Sequence, residues 1–361
     1  MKKTKFYDIH KKLDAKIVEF AGYEMPVQYS SIIAEHKAVR NSVGVFDVSH
    51  MGEFFVKGEK ALDFVQGVTV NNAAKLEPGK VQYSCMCYED GGIVDDLLVY
   101  QLDENEYMLV VNASNIDKDF EWLAKNNTHG IELVNRSDEY SLLAVQGPNS
   151  QKVLQKICNK NLDDLGFYTF TIAECAGKEM IVSRTGYTGE LGFELYFTGN
   201  EEEAGKVWNE IMKAGEEFDI EPAGLGARDS LRLEKGYCLY GNDIDKTTNP
   251  LEANLGWITK LKKGDFIGRD SLLKVKEEGA KRKLVPMISE EKVFPRHGYE
   301  IKADDKIIGY ITSGTISPIL EKPIALGYLD IEYTEKGKDV KFLIRNKEFN
   351  AKVTKLPFVE S

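Results

Sequence analysis

Residues 81–100 read VQYSCMCYEDGGIVDDLLVY, two runs of β-forming residues separated by Glu-Asp-Gly-Gly. No other stretch constrains the fold so tightly, because paired glycines permit the backbone angles of a tight reversal and the flanking runs have strand composition. It commits this part of the chain to an antiparallel sheet. It also poses a chemical question, since Asp95 and Asp96 stand side by side within the second run.

Strand side chains alternate between faces, so Asp95 points with Leu97 and Val99, and Asp96 with Leu98 and Tyr100. The two carboxylates therefore serve different surroundings. They cannot make a proton-sharing dyad, which needs both groups at one spot. Burying either is costly unless something hydrogen-bonds it. Capping of the hairpin or exposure near a strand end would meet that need, and so would a ligand bearing N–H groups.

The rest of the chain alternates strands with helices. SSIIAEHKAVRNSVG predicts a helix capped by Ser30 or Ser31, and VFDVSHMGEFFVKG a strand. EKALDFVQGVTV and SNIDKDFEWLAKNN have helical spacing around the hairpin and a third strand, EYMLVVN. Together they form an α+β unit over about 51–136. A second unit follows from about 137, with strands in YSLLAVQGP and KEMIVSRTGYTGELGFELYF, and helices in NSQKVLQKIC, EEEAGKVWNEIMKAGEEF and AGLGARDSLRLEKG. Beyond about 244 the short strands and turns predict a small β-barrel or sandwich.

Two or three domains suit a length of 361 residues, and 42% hydrophobic with 29% charged residues is a globular composition. The formal charge of -11 argues against a surface that grips nucleic acid or anionic lipid. No apolar run approaches the roughly 20 residues of a membrane helix, and the start, MKKTKFYDIHKKL, has no signal-peptide core, so a cytoplasmic location is expected. The five cysteines, at 85, 87, 158, 175 and 238, form no disulfide framework or CxxC pair and are expected to be reduced thiols. The five histidines show no metal-binding spacing, so no metal is expected.

Two further segments carry candidate chemistry. SRTGYTGELGFEL has glycines at 186, 189 and 192, which would let the backbone turn tightly and approach a ligand, or simply serve the loose turns of a hairpin. Glu194 follows between Phe193 and Leu195, a carboxylate suited to a planar ring with adjacent N–H donors. AGLGARDSLRLE is not a dinucleotide fingerprint, because Asp229 replaces the third glycine. Arg228 there is either an exposed ion-pair member or a fork for a carboxylate ligand. No catalytic triad, P-loop or nucleophile elbow is present.

Ten segments, FAGYEMPVQY, FDVSHMGE, GGIVDDLLVY, VNASN, VQGP, SRTGYTGELGFEL, GLGARDSLRLEKG, LYGNDID, DFIGR and ITSGTISP, resemble in content and order the motifs of the glycine cleavage T-protein family, the folate-dependent aminomethyltransferases. The resemblance implies an α+β fold, a three-domain cloverleaf of ferredoxin-like units and a C-terminal β-barrel around a central folate-binding hole. The domains would be 1–50 with 137–243, then 51–136, then 244–361. It also implies the reaction: an aminomethyl group on the dihydrolipoyl arm of the lipoylated H-protein passes its carbon to tetrahydrofolate, releasing ammonia.

By matching positions, Asp96 resembles the family's essential carboxylate, Glu194 the partner of the pterin ring, and Arg228 a residue of the same pocket. Tyr83, Met51, Asn112 and Tyr187 resemble pocket-lining positions. SPILEKPIALG departs from the family pattern at Ile319 and Pro323. Two alternatives share the fold. One is a related folate-dependent demethylase. The other is a folate-binding iron–sulfur assembly factor, whose K-G-C-Y-x-G-Q-E signature is not matched by KGYCLYGND.

Overall fold

The computed structural model describes residues 1–360. It divides into two compact units: Met1–Phe64, Ala74–Gln82 and Leu97–Asp229 form one, and Val65–Ala73, Tyr83–Asp96 and everything described from Ser230 onward form the other. The division falls within both strands of the opening hairpin, Val81–Cys87 and Ile93–Asp103.

The first unit is organised by a six-stranded sheet whose spatial order is Phe170–Cys175, Lys178–Ser183, Gly192–Thr198, Tyr140–Gln146, Gly44–Asp47 and Glu221–Pro222. Strand alternation decides what each face does. Phe193, Leu195 and Phe197 enter the core with Val207, Trp208 and Ile211 of the helix Glu201–Gly215. A reciprocal Asn200–Glu203 capping box starts that helix. Glu194 and Tyr196 are thereby turned to the opposite face.

A five-stranded sheet runs in the order Val81–Cys87, Ile93–Asp103, Glu106–Val111, Gly52–Lys57 and Glu132–Asn135. The helix Ile116–Lys125 packs on it, with Phe120 edge-on to Phe54 at 5.3 Å. Near the N-terminus, Ser31 caps the helix Ile32–Asn41 by accepting from Ala34 N. The preceding ribbon of Lys16–Phe20 and Tyr23–Gln28 was not anticipated, because its turn at Ala21 and Gly22 uses left-handed angles without an Asn-Gly or Asp-Gly signature.

In the second unit, residues 282–353 form a closed six-stranded barrel, ordered Arg282–Ile288, Pro323–Asp330, Lys306–Ile316, Glu300–Ala303, Asp339–Ile344 and Lys347–Val353. Met287 pairs with Val353 to close the ring, and Val285, Ile301, Phe342 and Leu329 fill it. A separate cluster of Cys85, Cys87, Ile93, Cys238 and Ile258 lies in the same unit. There Arg232, almost fully buried, donates to Asp243 at 2.7 Å and to Ser313 at 2.8 Å.

Two expectations change. The cysteines are not all alike: Cys158 and Cys175 form a disulfide, and Cys85, Cys87 and Cys238 are buried thiols. The pair lies 17 residues apart, with Cys158 just beyond a short helix and Cys175 at a strand end, so no local motif announces it. The glycines of the Gly-rich segment also have a different purpose at two positions, described below. No helix among the described residues is long and apolar enough to cross a membrane.

Candidate active site

In the second unit, alternation separates the paired carboxylates. Asp95 is fully buried, whereas Asp96 keeps part of its surface exposed. Tyr83, on the neighbouring strand, donates its hydroxyl to Asp96 Oδ2 at 2.9 Å. Burial raises the Tyr83 phenol well above its ordinary range, and the charge of Asp96 adds to this, so Tyr83 stays a proton donor. Trp257, 64% exposed, lies with its ring 6.2 Å from that of Tyr83. Sequence reasoning passed over it, since one Trp in a turn-rich stretch has no periodicity to mark it.

In the first unit, Glu194 occupies the sheet face opposite the helices. Its carboxylate accepts hydrogen bonds from Thr185 and, at 3.4 Å, from Tyr196. Tyr100 completes the group, with its hydroxyl 3.0 Å from Tyr196 Oη and donating to Ser183 at 3.0 Å. Burial pushes the Glu194 carboxyl up, while Thr185, Arg228 and Tyr196 pull against that shift. The result is a buried carboxylate with two hydroxyl donors and an arginine whose charge reaches it.

The Gly-rich segment holds this group from behind. Gly189 has a positive φ of 76° and makes the turn. At Gly186 and Gly192 a Cβ would collide with the buried Gln146 amide. Gln146 donates to Thr185 O at 3.2 Å and to Phe193 O at 3.4 Å, and accepts from Thr188 Oγ1 at 2.8 Å. These two glycines make room for a protein side chain, not for a ligand. Arg40 fastens the same loop through Thr188 O at 2.6 Å and Glu190 at 2.8 Å.

Arg228 lies in the helix Leu225–Lys235, 4.6 Å from the centre of the Tyr187 ring. It acts electrostatically on both Glu194 and His50, so Arg228, Tyr187 and Glu194 are brought together. Burial and then the nearby guanidinium hold the His50 imidazole down at about 4, which keeps it neutral at physiological pH. Met51 follows His50, and Met51 and Asn112 each lie one residue beyond the Gly52–Val111 pair that ends the ladder. Both are half-buried.

The turn presenting His50 and Met51 is built by Asp47. Its carboxylate accepts from Ser49 N at 3.0 Å and Thr4 Oγ1 at 2.6 Å, and pairs with His10 Nε2 at 2.9 Å. Burial would raise Asp47, but the contact with His10 and the hydroxyl donors bring it below the ordinary carboxylate value. His50 and this Asp47 network were not singled out from sequence. The Asp-x-Ser turn was a usable local signal for Asp47, whereas His10 lies 37 residues away.

A cavity of about 300 Å³ in the second unit, lined by Leu251, Leu261, Val275 and Lys276, includes neither Tyr83 nor Asp96. No grouping of three or more His, Cys, Asp or Glu side chains suited to a metal ion occurs among the described residues. What the two units present is acid–base and hydrogen-bonding chemistry: one partly exposed carboxylate with a phenol donor, and one buried carboxylate with an arginine nearby.

Two family models match the chain, the GCVT N-terminal domain over residues 6–263 and the glycine cleavage T-protein C-terminal barrel domain over residues 282–360. An aminomethyltransferase of Halothermothrix orenii is 54% identical over 359 residues, covering 99% of this chain and 100% of the relative. One from Bacteroides fragilis is 55% identical over 361 residues, covering 99% of each. The crystal structure of the glycine cleavage system aminomethyltransferase T from Bartonella henselae superposes with a TM-score of 0.92 at 34% identity, covering 99% of this chain and 98% of that one.

Proposed function

The chain belongs to the glycine cleavage T-protein family of aminomethyltransferases, and from that premise we propose how its own residues serve the reaction. It is a transferase of the glycine cleavage system, and relatives matched end to end favour this over a demethylase or an assembly factor. The acceptor in this family is tetrahydrofolate. The donor is an aminomethyl group carried by thioether linkage on the dihydrolipoyl arm of H-protein, and the reaction belongs in the cytoplasm.

Asp96 is the catalytic carboxylate. As the folate nitrogens attack the methylene carbon, two C–N bonds form while the C–S and C–NH₂ bonds break. The two folate N–H protons leave with the thiol and with ammonia, so the exchange balances without an oxidant or a metal. A carboxylate at the folate N10 region can orient the nucleophile and carry one of these protons, a contribution of about 10²–10⁴-fold. Tyr83 keeps Asp96 in place by its hydrogen bond. Orientation of folate against the lipoyl arm supplies much of the remaining rate.

Glu194 takes the pterin ring through its N–H groups, and Arg228 belongs to the same pocket, with Tyr187, Met51 and Asn112 as its lining. We retain the division into 1–50 with 137–243, 51–136 and 244–361 as the domain plan. The observation that carries the assignment is the unequal burial of the two adjacent aspartates, since only Asp96 keeps an exposed surface.

The test mixes the protein with tetrahydrofolate and aminomethyl-loaded H-protein and follows ammonia and 5,10-methylenetetrahydrofolate. Stoichiometric formation of both is expected. No product in the presence of active H-protein overturns the proposal.

A further inference from the structure

In the second unit, the short segment Thr69–Asn71 is gripped from two sides, and its main-chain groups are all engaged. Toward the strand Val81–Cys87, Val70 N donates to Cys85 O at 2.9 Å and Asn71 N to Ser84 Oγ at 3.1 Å. Asn71 Nδ2 donates to Tyr83 O at 2.9 Å. Thr69 N closes back on Val65 O at 3.1 Å, and Lys260 N donates to Val70 O at 2.9 Å.

The remaining carbonyls converge on the Lys263 amine, whose pKa burial pulls down to about 7. Lys263 Nζ donates to Gln66 O at 2.7 Å, Thr69 O at 2.5 Å and Asn71 O at 2.6 Å, with the Gln66 side-chain oxygen at 3.2 Å. An ammonium has three protons, and the three main-chain carbonyls use them. The Phe266 ring lies 5.0 Å from the same nitrogen. A lysine at the end of a helix commonly serves as a C-terminal cap, and Gln66 O fits that role. Thr69 O and Asn71 O do not, because they lie beyond the helix Ala61–Val68 in the segment that touches Tyr83.

We propose that Lys263 is a positioning residue for the reaction: by holding Thr69–Asn71 against the strand that carries Tyr83, it sets the Tyr83 hydroxyl on Asp96. This rests on Asp96 being the catalytic carboxylate. Without the ammonium, three carbonyls lose their donor and Asn71 loses the support that fixes its amide on Tyr83 O. A displacement of about 1 Å at a reacting group can cost on the order of 10²-fold in rate.

A double-mutant cycle separates this from simple capping. Lys263→Met is expected to lower kcat about tenfold with KM for tetrahydrofolate within about twofold, because alignment rather than binding is lost. In a Tyr83→Phe background the same substitution should cost less than about twofold further, since the hydroxyl it positions is gone. Independent, multiplying losses in kcat overturn the inference and leave Asp96 untouched. Should Lys263→Met not fold, Asn71→Ala takes its place in the cycle with the same expected coupling. Wild-type kcat in Tyr83→Phe, with Asp96→Asn inactive, also overturns it. An active Asp96→Asn enzyme overturns the catalytic assignment itself.

Discussion

The Tyr83 hydroxyl donates to the Asp96 carboxylate at 2.9 Å, while Asp95, one residue earlier on the strand, is fully buried. Exchanging aspartate for asparagine therefore has different consequences at the two positions. Asp96→Asn should lower turnover by about 10²–10⁴-fold with little change in folate affinity or unfolding midpoint. Asp95→Asn should act mainly on stability. Steady-state kinetics and urea unfolding of both variants check this, and equal effects on kcat would refute the choice between them.

Glu194 gives a prediction about binding and pH. Burial first, then the opposing influence of Thr185, Arg228 and Tyr196, leaves its carboxyl above the ordinary 4.5. Recognition of ring N–H groups needs the carboxylate, so folate binding should release a proton when the pH lies near that raised value. Affinity should rise with pH through this window and fall as the carboxyl protonates. Calorimetry in two buffers of different ionisation enthalpy measures the released proton. Glu194→Gln should bind at least about tenfold more weakly, with no linked proton.

Glu53 is 1% exposed, and its Oε2 has no hydrogen-bond partner among the described residues. Burial raises its pKa well above the ordinary value, with only Lys5 pulling it down. The folded state thus holds this proton to higher pH than the unfolded chain does, and the associated stability is complete below about pH 4.5 and lost as pH rises toward the folded value. Glu53→Gln removes that loss. The variant should match the wild type near pH 4 and exceed it in stability at pH 8 in urea unfolding. A variant less stable at pH 8 than at pH 4, relative to wild type, contradicts the assignment.

The Cys158–Cys175 disulfide predicts three titratable thiols in denaturant without reductant, and five after reduction. Replacing both cysteines by alanine should cost about 3 kcal/mol, as expected for a loop of this length in the chain-entropy account. Five thiols in the unreduced protein would exclude the bridge.

Much of the fold was legible because its signals are local. The Gly-Gly hairpin, the serine cap at Ser31 and the period-2 strands of the barrel all depend on neighbours within a few residues. Alternation over residues 93–100 also separates Asp95 from Asp96. The same rule, fully applied, would have turned Glu194 away from Phe193 and Leu195, which enter the helix-covered core instead. Gly186 and Gly192 were misread because their constraint is Gln146, at least 40 residues away in sequence and visible only once the strands are paired. The Tyr100–Tyr196 contact spans 96 residues and the His10–Asp47 pair 37, so pattern alone could not join them. Lys263 was invisible for another reason: its partners are main-chain carbonyls, which no residue type advertises.

The closure of the barrel has a consequence outside catalysis. Because Met287 meets Val353, the six strands between residues 282 and 353 form a continuous ring with no edge strand. An exposed edge is a template on which another chain can lay down a strand, the first step of many insoluble deposits. This barrel offers no such template while it remains folded. Aggregation through this barrel therefore requires the ring to open first.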